Sequence, residues 1–140
     1  MKNTVSIILI RNNNYVLQHR DNKDFIADPG TYGAWGGSVE DQDVSIEAAA
    51  LRELAEETGL IIKKAQLINL GSELRDGRAP ANKGKHVNFY YFALNIKSNI
   101  AFSAREGQGI IELPIPYVPN EKMNDIAIAA IKKYESQFIK

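Results

Sequence analysis

A short run of glutamates constrains this chain more than any other feature of its sequence: the segment from Arg52 to Leu60 reads Arg-Glu-Leu-Ala-Glu-Glu-Thr-Gly-Leu. On a helix that turns about 100° per residue, Glu53, Glu56 and Glu57 fall within an arc of roughly 100°. Like charges spaced in this way repel by about 0.2–0.5 kcal/mol per pair. A solvated acidic face is one interpretation. The other is a bound divalent cation, and a set of oxygen ligands favours Mg²⁺ or Mn²⁺ over zinc.

The flanking residues predict where this helix begins and ends. Ser45 can cap the N-terminus, because a serine side chain accepts a hydrogen bond from the first helical turn. Gly59 suits the position just after the helix, where the backbone is often left-handed. We therefore expect a helix over Ile46 to Thr58. The upstream pair Gly36-Gly37 permits a tight turn and a close approach of backbone at the mouth of the helix.

The pattern Arg-Glu-apolar-x-Glu-Glu-x-Gly-apolar, behind a Gly-Gly turn, resembles the Nudix box of the Nudix hydrolase family. The family pattern also sets a glycine and a glutamate at fixed distances before the arginine. Here Gly37 and Asp43 each lie one residue too early, and aspartate replaces glutamate. A one-residue insertion between Asp43 and Arg52 restores the register, so that the box covers Gly37 to Leu60. In the family this acid steadies the arginine, and the insertion leaves that pairing as the least supported part of the resemblance.

The resemblance implies roles for the residues of the box. Glu56 and Glu57 would be the principal metal ligands, and a carbonyl of Gly36 or Gly37 would join them. Glu53 would be either a further ligand or the base that activates the attacking water. Arg52 would orient the glutamates through charge-assisted hydrogen bonds.

Three residues outside the box complete the predicted site. Glu106 follows a long strand in the sequence Glu-Gly-Gln-Gly, where many Nudix hydrolases supply one more catalytic carboxylate. Arg20 ends a predicted strand at a point where a basic residue of the family often reaches the phosphates of the substrate; a surface arginine is the alternative. Trp35 offers a ring that can stack on a base, with packing in the core as the alternative.

Composition and length limit the remaining possibilities. A chain of 140 residues with 44% apolar and 24% charged residues predicts one soluble domain over residues 1–140. Its 17 basic and 17 acidic residues cancel, which gives no indication of a DNA or membrane partner. The absence of cysteine excludes a cysteine nucleophile and a thiolate metal site. No signal peptide or membrane-spanning segment is evident, so we expect a cytoplasmic protein.

The order of elements predicts an α+β fold. A hairpin over residues 4–20 precedes the acidic helix, and strands are expected at residues 65–70, 87–96 and 110–113. A basic loop over residues 75–86 is either a lid that faces phosphate or an exposed connection. Asn120 or Asn124 can cap a last helix, whose apolar stripe would be Met123, Ala127, Ile131, Tyr134 and Phe138. Together with the resemblance, this order implies a Nudix-like α/β/α sandwich with a mixed β-sheet.

The resemblance implies metal-dependent hydrolysis of a pyrophosphate bond in a nucleoside diphosphate linked to another group X, such as a nucleoside triphosphate or a nucleotide sugar. Its partner would be a small nucleotide; the sequence does not decide whether the chain is a homodimer. Isopentenyl diphosphate isomerases share the fold, but they rely on a cysteine that this chain lacks. The alternative is a non-catalytic module that senses a nucleotide or nucleotide sugar; such modules usually lose part of the acidic triplet, which is intact here.

Overall fold

The chain begins with a β-hairpin. In the computed structural model, which describes residues 2–139, strand β1 (Lys2–Arg11) pairs antiparallel with β2 (Asn14–His19). Asn12 and Asn13 turn the chain with positive φ angles of 52° and 60°. Two consecutive positive φ angles are the signature of a type I′ hairpin turn, and asparagine tolerates them better than most residues. The predicted hairpin is therefore confirmed.

The rest of the chain adds five strands and two α-helices. In chain order these are β3 (Tyr32–Gly33), β4 (Trp35–Ser38), α1 (Ile46–Thr58), β5 (Ile68–Asp76), β6 (His86–Asn95), β7 (Gly109–Pro114) and α2 (Asp125–Phe138). Short 3-10 helices at Lys64–Gln66 and Pro80–Asn82 flank β5. No helix among residues 2–139 has both the length and the apolar character that crossing a bilayer requires.

Strand β1 is the centre of one seven-stranded mixed sheet. It runs parallel to β6 and antiparallel to β2 and β4. On one side β5 pairs antiparallel with β6, and on the other β3 and β7 both pair antiparallel with β2. The predicted mixed sheet is confirmed. The pairing of β4 with β1 matters most for function, because it fixes the glycine pair beside the central strand.

The two helices cover opposite faces of the sheet. Side chains alternate along β1, so that Val5 and Ile7 face the core under α1, while Ile8 faces the core under α2. Leu54 of α1 and Ile131 of α2 are both completely buried in their respective cores. The predicted sandwich of helix, sheet and helix is therefore confirmed.

Some predicted boundaries were wrong. The strand expected at residues 65–70 begins only at Ile68 and continues to Asp76, so the basic loop shortens to residues 77–85. Strands β3 and β4 were missed, because they are short and contain glycines that weaken a strand pattern. Phe138 was assigned to the buried stripe of the last helix, but its exposed fraction is 49%. It lies in the final turn of α2, at the very end of the helix.

The contrast between Ile131 and Phe138 tests how α2 is packed. Ile131→Ala should lower the free energy of unfolding by about 2–5 kcal/mol, because it leaves a cavity in a closed core. Phe138→Ala should lower it by under about 1 kcal/mol, since the ring already contacts solvent. Urea titrations at constant m-value measure both. Equal losses for the two variants would contradict the packing described for α2.

Candidate functional site

Helix α1 carries the acidic residues, and both of its ends are capped as predicted. The Ser45 Oγ accepts a hydrogen bond from the Ala48 amide at 3.0 Å. Gly59 adopts a left-handed conformation with φ 78°, and its N–H donates to the Ala55 carbonyl at 3.0 Å. The capped helix presents Glu53 and Glu57 towards strand β4.

Glu57 is the most unusual of these acids, because its exposed fraction is only 2%. The Gly36 amide of β4 donates a hydrogen bond to its Oε1 at 2.6 Å. Burial is the main cause that raises the pKa of Glu57 to about 9; the Gly36 amide opposes this rise, and the nearby Glu53 and Glu106 contribute to it. A carboxyl with this pKa holds its proton at neutral pH unless a positive charge lies beside it.

Glu53 lies against the second glycine of the pair. A Cβ added to Gly37 would fall 2.7 Å from one carboxylate oxygen of Glu53 and 2.9 Å from the other, so a side chain there would displace the carboxylate. Gly36 is more tightly constrained, because it adopts φ 133° and an added Cβ would fall 2.0 Å from the Val5 carbonyl oxygen. Burial raises the pKa of Glu53, and the Arg52 guanidinium counteracts this. The glycine pair thus brings backbone directly onto two buried acids.

The loop before β7 brings a third acid to the same place. Glu106 lies near Glu57, and its carboxyl contributes to raising the pKa of Glu57. Two hydrogen bonds fix the backbone of this loop. The Gln18 side chain donates to the Glu106 carbonyl at 3.1 Å, and the Arg105 amide donates to the Glu57 carbonyl at 2.7 Å. The structure therefore brings Glu53, Glu57 and Glu106 together.

Glu56 lies apart from this group. Its side chain is 57% exposed, and both of its carboxylate oxygens accept from the Arg52 Nη1 at 3.2 Å. The same nitrogen donates to Glu53 at 3.1 Å. Arg52 thus joins a buried acid to an exposed one, as the orienting role predicted for it requires.

Arg52 also pairs with Asp43, despite the inserted residue. Its Nε and Nη2 donate to the two Asp43 oxygens at 2.9 and 2.8 Å, and Nη2 also donates to the Ser38 carbonyl at 3.1 Å. These hydrogen bonds lower the pKa of Asp43 to about 2. Val44, the residue between Asp43 and the helix cap, is 94% exposed. The chain accommodates the inserted residue by pointing Val44 into solvent, so that the Asp43 carboxylate still pairs with Arg52.

The acids and the glycine carbonyls supply only oxygen donors, which are the ligands that Mg²⁺ and Mn²⁺ prefer. Among residues 2–139, no three histidine, aspartate or glutamate side chains are already arranged as a metal site. Glu57, however, is buried beside two other carboxyl groups, and a cation there would replace its proton and offset their mutual repulsion. The donor types and the crowding of these groups therefore fit a hard divalent cation.

Arg20 and Trp35 have different surroundings. The Arg20 Nε donates to the Ala27 carbonyl at 2.9 Å, and its side chain lines two cavities beside the acids. Trp35 is completely buried, and its Nε1 donates to the Val16 carbonyl at 2.9 Å. An indole held in this way has no free face for a base. The prediction of Trp35 as a stacking contact is corrected to the packing alternative.

One cavity, of about 310 Å³, is lined in part by Gly36 and Gly37, and we call it the glycine cavity. A second, more polar cavity of about 370 Å³ lies on the side of Glu106. Arg20 and Ile26 line both of them. Glu106 lines the second cavity, and the glycines that contact Glu57 and Glu53 line the first, so both spaces lie next to the acidic group.

Sequence reasoning missed two residues of the glycine cavity, Asp28 and Arg78. Arg78 donates to both oxygens of Asp28, at 2.9 and 3.3 Å. Asp28 belongs to a polar loop without any motif, and Arg78 was one of several basic residues in the loop before β6. Only the positive φ of Asp28, 46°, marks it as special, and that is a property of the fold.

Comparison with known proteins gives a consistent result. The family model described as the NUDIX domain matches residues 1–134. No protein of curated function matches the chain by sequence. Among solved structures, the MutT protein from Methanosarcina mazei is similar with a TM-score of 0.79 at 15% identity, over 99% of this chain and 96% of that one.

Two further structures are similar and contain ligands. The NUDIX domain of Shewanella oneidensis NrtR, complexed with ADP ribose, has a TM-score of 0.72 at 19% identity, over 96% of this chain and 86% of that one. A bifunctional NMN adenylyltransferase/ADP ribose pyrophosphatase from Francisella tularensis, complexed with AMP and a Mn ion, has a TM-score of 0.70 at 16% identity. The match covers 97% of this chain and 41% of that one. At these identities the likeness concerns the fold.

The pairing across the insertion can be tested with two neighbouring variants. Asp43→Asn should lower the Tm by a few degrees, because Arg52 loses a paired charge, whereas Val44→Ala should leave the Tm unchanged. The folded pKa of Asp43 is depressed from 3.8 to about 2. The pair therefore stabilises the fold above about pH 4, and the difference between Asp43→Asn and wild type should narrow as the pH falls towards 2. A constant difference over this range, measured by thermal unfolding, would contradict the assigned pair.

Proposed function

The chain belongs to the Nudix hydrolase family, and from that premise we propose that it hydrolyses a pyrophosphate bond in a nucleoside diphosphate linked to another group, using Mg²⁺ or Mn²⁺. The observation that supports this most directly is the meeting of Glu53, Glu57 and Glu106 beside Gly36-Gly37, at the mouth of a cavity. Carboxyl groups that repel one another around the buried Glu57 are unfavourable for stability alone. They become favourable when a cation and a phosphate group occupy the space between them.

In this proposal Glu57 is the central metal ligand, because its carboxyl is fixed by the Gly36 amide at 2.6 Å. Glu53 and a carbonyl of Gly36 or Gly37 complete the inner set, and Glu56 contributes from the exposed edge. A divalent ion held there supplies charge that neutralises the phosphate oxygens in the transition state. Arg52 keeps Glu53 and Glu56 in place through its hydrogen bonds to both.

The base that takes the proton of the attacking water is Glu106 in this proposal. A carboxylate engaged by a cation has its lone pairs occupied, so a ligand is a poor proton acceptor. Glu106 lies on a loop rather than on α1, and its carboxyl is near enough to Glu57 to raise the pKa of that group. It is therefore close to the reacting centre without belonging to the helix that holds the cation. Glu53 is the alternative base.

Arg20 is proposed to hold the phosphates. Its side chain lines both cavities, so it lies where the two parts of a pyrophosphate compound would meet. A guanidinium binds phosphate oxygens through paired hydrogen bonds. The sensing-module alternative would use the same cavities but not the acids. A panel of nucleoside triphosphates and nucleotide sugars, scored for phosphate-containing products, distinguishes turnover from mere binding.

Dependence on a divalent cation is the first expected outcome. Hydrolysis should disappear with a chelator and return with Mg²⁺ or Mn²⁺. Because the ion binds only the folded chain, it should also stabilise the protein, by about 2.7 kcal/mol at 100 times its Kd. Glu57→Gln keeps an oxygen for the Gly36 amide but removes the charge, so it should abolish the thermal shift. Undiminished turnover in metal-free protein would contradict the mechanism.

Variants of the acids should differ in the kinetic property that they change, kcat or the metal concentration required. Glu106→Gln should lower kcat by about ten-fold or more at saturating Mg²⁺, with little change in the metal concentration required. Glu56→Gln should mainly raise that concentration. Glu112→Gln is the matched control, because Glu112 pairs with Arg11 on β1 at 2.9 Å rather than with an acid of the site. If Glu106→Gln turns over like wild type, the base role passes to Glu53.

A further inference from the structure

Strand β5 lies at one edge of the sheet, where it pairs with β6 alone. The first part of this edge is closed to another strand. A bulge between Asn69 and Gly71 interrupts the pairing, and the Gln137 side chain of α2 donates to the Leu70 carbonyl at 3.5 Å. Bulges and covering side chains are devices that protect the edge of a sheet. The second part of the strand, residues 72–76, lies beyond them, and we call it the open edge.

The backbone groups of the open edge point alternately towards β6 and away from it. The Gly77 amide donates to the Lys85 carbonyl at 2.8 Å, which makes these two residues a hydrogen-bonded pair at the end of the ladder. Such pairs alternate with unbonded pairs in antiparallel strands, so the N–H and C=O groups of residues 72, 74 and 76 face outwards. Outside the strand ladders, no backbone hydrogen bond among residues 2–139 uses these groups. The edge therefore offers them to a further strand.

The side chains of the open edge favour pairing. Leu74 lies at its centre and is 51% exposed, whereas edge strands that resist pairing carry lysine or proline. Glu73 and Arg75 lie on the other face of the strand, opposite Phe89 and Val87 of β6. These two charged side chains are 3.1 Å apart and about a third exposed. The open edge thus combines an exposed apolar centre with two opposite charges that remain accessible.

An antiparallel copy of the same strand complements this arrangement. With a two-fold axis at Leu74, the outward groups of residue 74 bond to their own copies, and those of residue 72 bond to those of residue 76. Glu73 then lies opposite Arg75 of the second copy, at the close spacing of a non-hydrogen-bonded pair. The Ser72 hydroxyl faces the Asp76 carboxylate of the second copy. Every cross-strand pair in this register is therefore complementary.

Other registers lose this match. An axis at Glu73 or at Arg75 would place like charges opposite each other and would require backbone groups that already bond to β6. An axis at Ser72 would place Leu74 opposite Leu70, at the bulge, where the Leu70 carbonyl already accepts from Gln137. The sequence of the strand and the direction of its backbone groups thus select the same axis.

We propose that two copies of this chain pair through the open edge, with Leu74 on the two-fold axis, so that the two sheets join into one. The paired segment is short, and interfaces of this size form weak, reversible complexes. The contact is independent of the proposed function, because none of residues 72–76 lines either of the cavities beside the acids.

Sedimentation equilibrium of the unaltered protein tests for the dimer. Between about 10 μM and 1 mM protein, the mean mass should rise from that of the monomer towards that of the dimer. Leu74→Lys places like charges at the axis and should weaken association by about ten-fold or more. Val118→Lys is the matched control, because Val118 is 69% exposed but lies outside β5. It should leave association unchanged.

Two charge reversals test which residues lie opposite each other. Arg75→Glu leaves two acids on each open edge, and Glu73→Arg leaves two bases, so each variant alone should associate at least about ten-fold more weakly than wild type. An equal mixture of the two variants should associate again, because every acid then lies opposite a base. Thermal unfolding shows that each variant is folded, and misfolded protein would not produce this recovery.

Single cysteines measure the register directly, because the chain contains none of its own. Leu74→Cys brings the two Cα atoms to about 5.5 Å, which a disulfide can span. Ser72→Cys leaves its two copies four residues apart along the strands, at about 13 Å, which is too far. Oxidised glutathione should therefore link Leu74→Cys into a covalent dimer and leave Ser72→Cys unlinked.

The outcomes are separate from those that test hydrolysis. A protein that remains monomeric to about 1 mM, a dimer that tolerates Leu74→Lys, or a mixture of the folded charge variants that does not associate would each overturn the contact. Preferential linking of Ser72→Cys would overturn the register with Leu74 on the axis. Because none of these measurements involves turnover, failure to hydrolyse any nucleotide would overturn the proposed function and leave this contact standing.

Discussion

The hydrogen bond from the Gly36 amide to Glu57 is the contact on which the rest of the site depends. It joins strand β4 to helix α1 at 2.6 Å, in a place from which water is excluded. Two structural conditions make it possible. Gly36 adopts φ 133°, which brings its backbone close to the central strand, and Gly37 leaves no side chain between the backbone and Glu53. A side chain at Gly36 would clash with the Val5 carbonyl of β1, and one at Gly37 would displace the Glu53 carboxylate.

Arg52 extends this arrangement outwards. It is the one basic side chain of α1, and it satisfies Asp43, Glu53 and Glu56 at once. One guanidinium with five donors can do this because its nitrogens lie in a fixed plane, with acceptors available on several sides. The arginine offsets part of the repulsion among the acids but leaves Glu57 without a positive partner. The negative charge that Arg52 does not offset is therefore concentrated on Glu57, the acid that we propose to hold the cation.

The polar groups of the glycine cavity come from segments far apart in the chain. Asp28 lies in the loop between β2 and β3, and Arg78 lies in the loop between β5 and β6. Because Asp28 is tied to the N-cap of α2 through Thr31 and Asn124, the start of that helix helps to set the wall of the cavity. The helix that carries the acids and the helix that supports the opposite wall thus lie on different faces of one sheet. Residues of β1, β4 and β6 line the cavity.

The sequence alone determined the local features of this protein. The boundaries of α1, the hairpin turn at Asn12-Asn13 and the acidic face of the helix follow from residue preferences and spacing over a few neighbours, and they were predicted. The meeting of Glu106 with Glu57, the fully buried place of Trp35, the strand character of Trp35–Ser38 and the pairing of Asp28 with Arg78 were decided only by tertiary structure. Val44 shows the difference most clearly: the sequence revealed an extra residue, but only the folded loop, by turning that residue into solvent, allowed Asp43 to reach Arg52. Such contacts depend on which strands pair and which loops meet, and these long-range arrangements have no signature in the spacing of nearby residues.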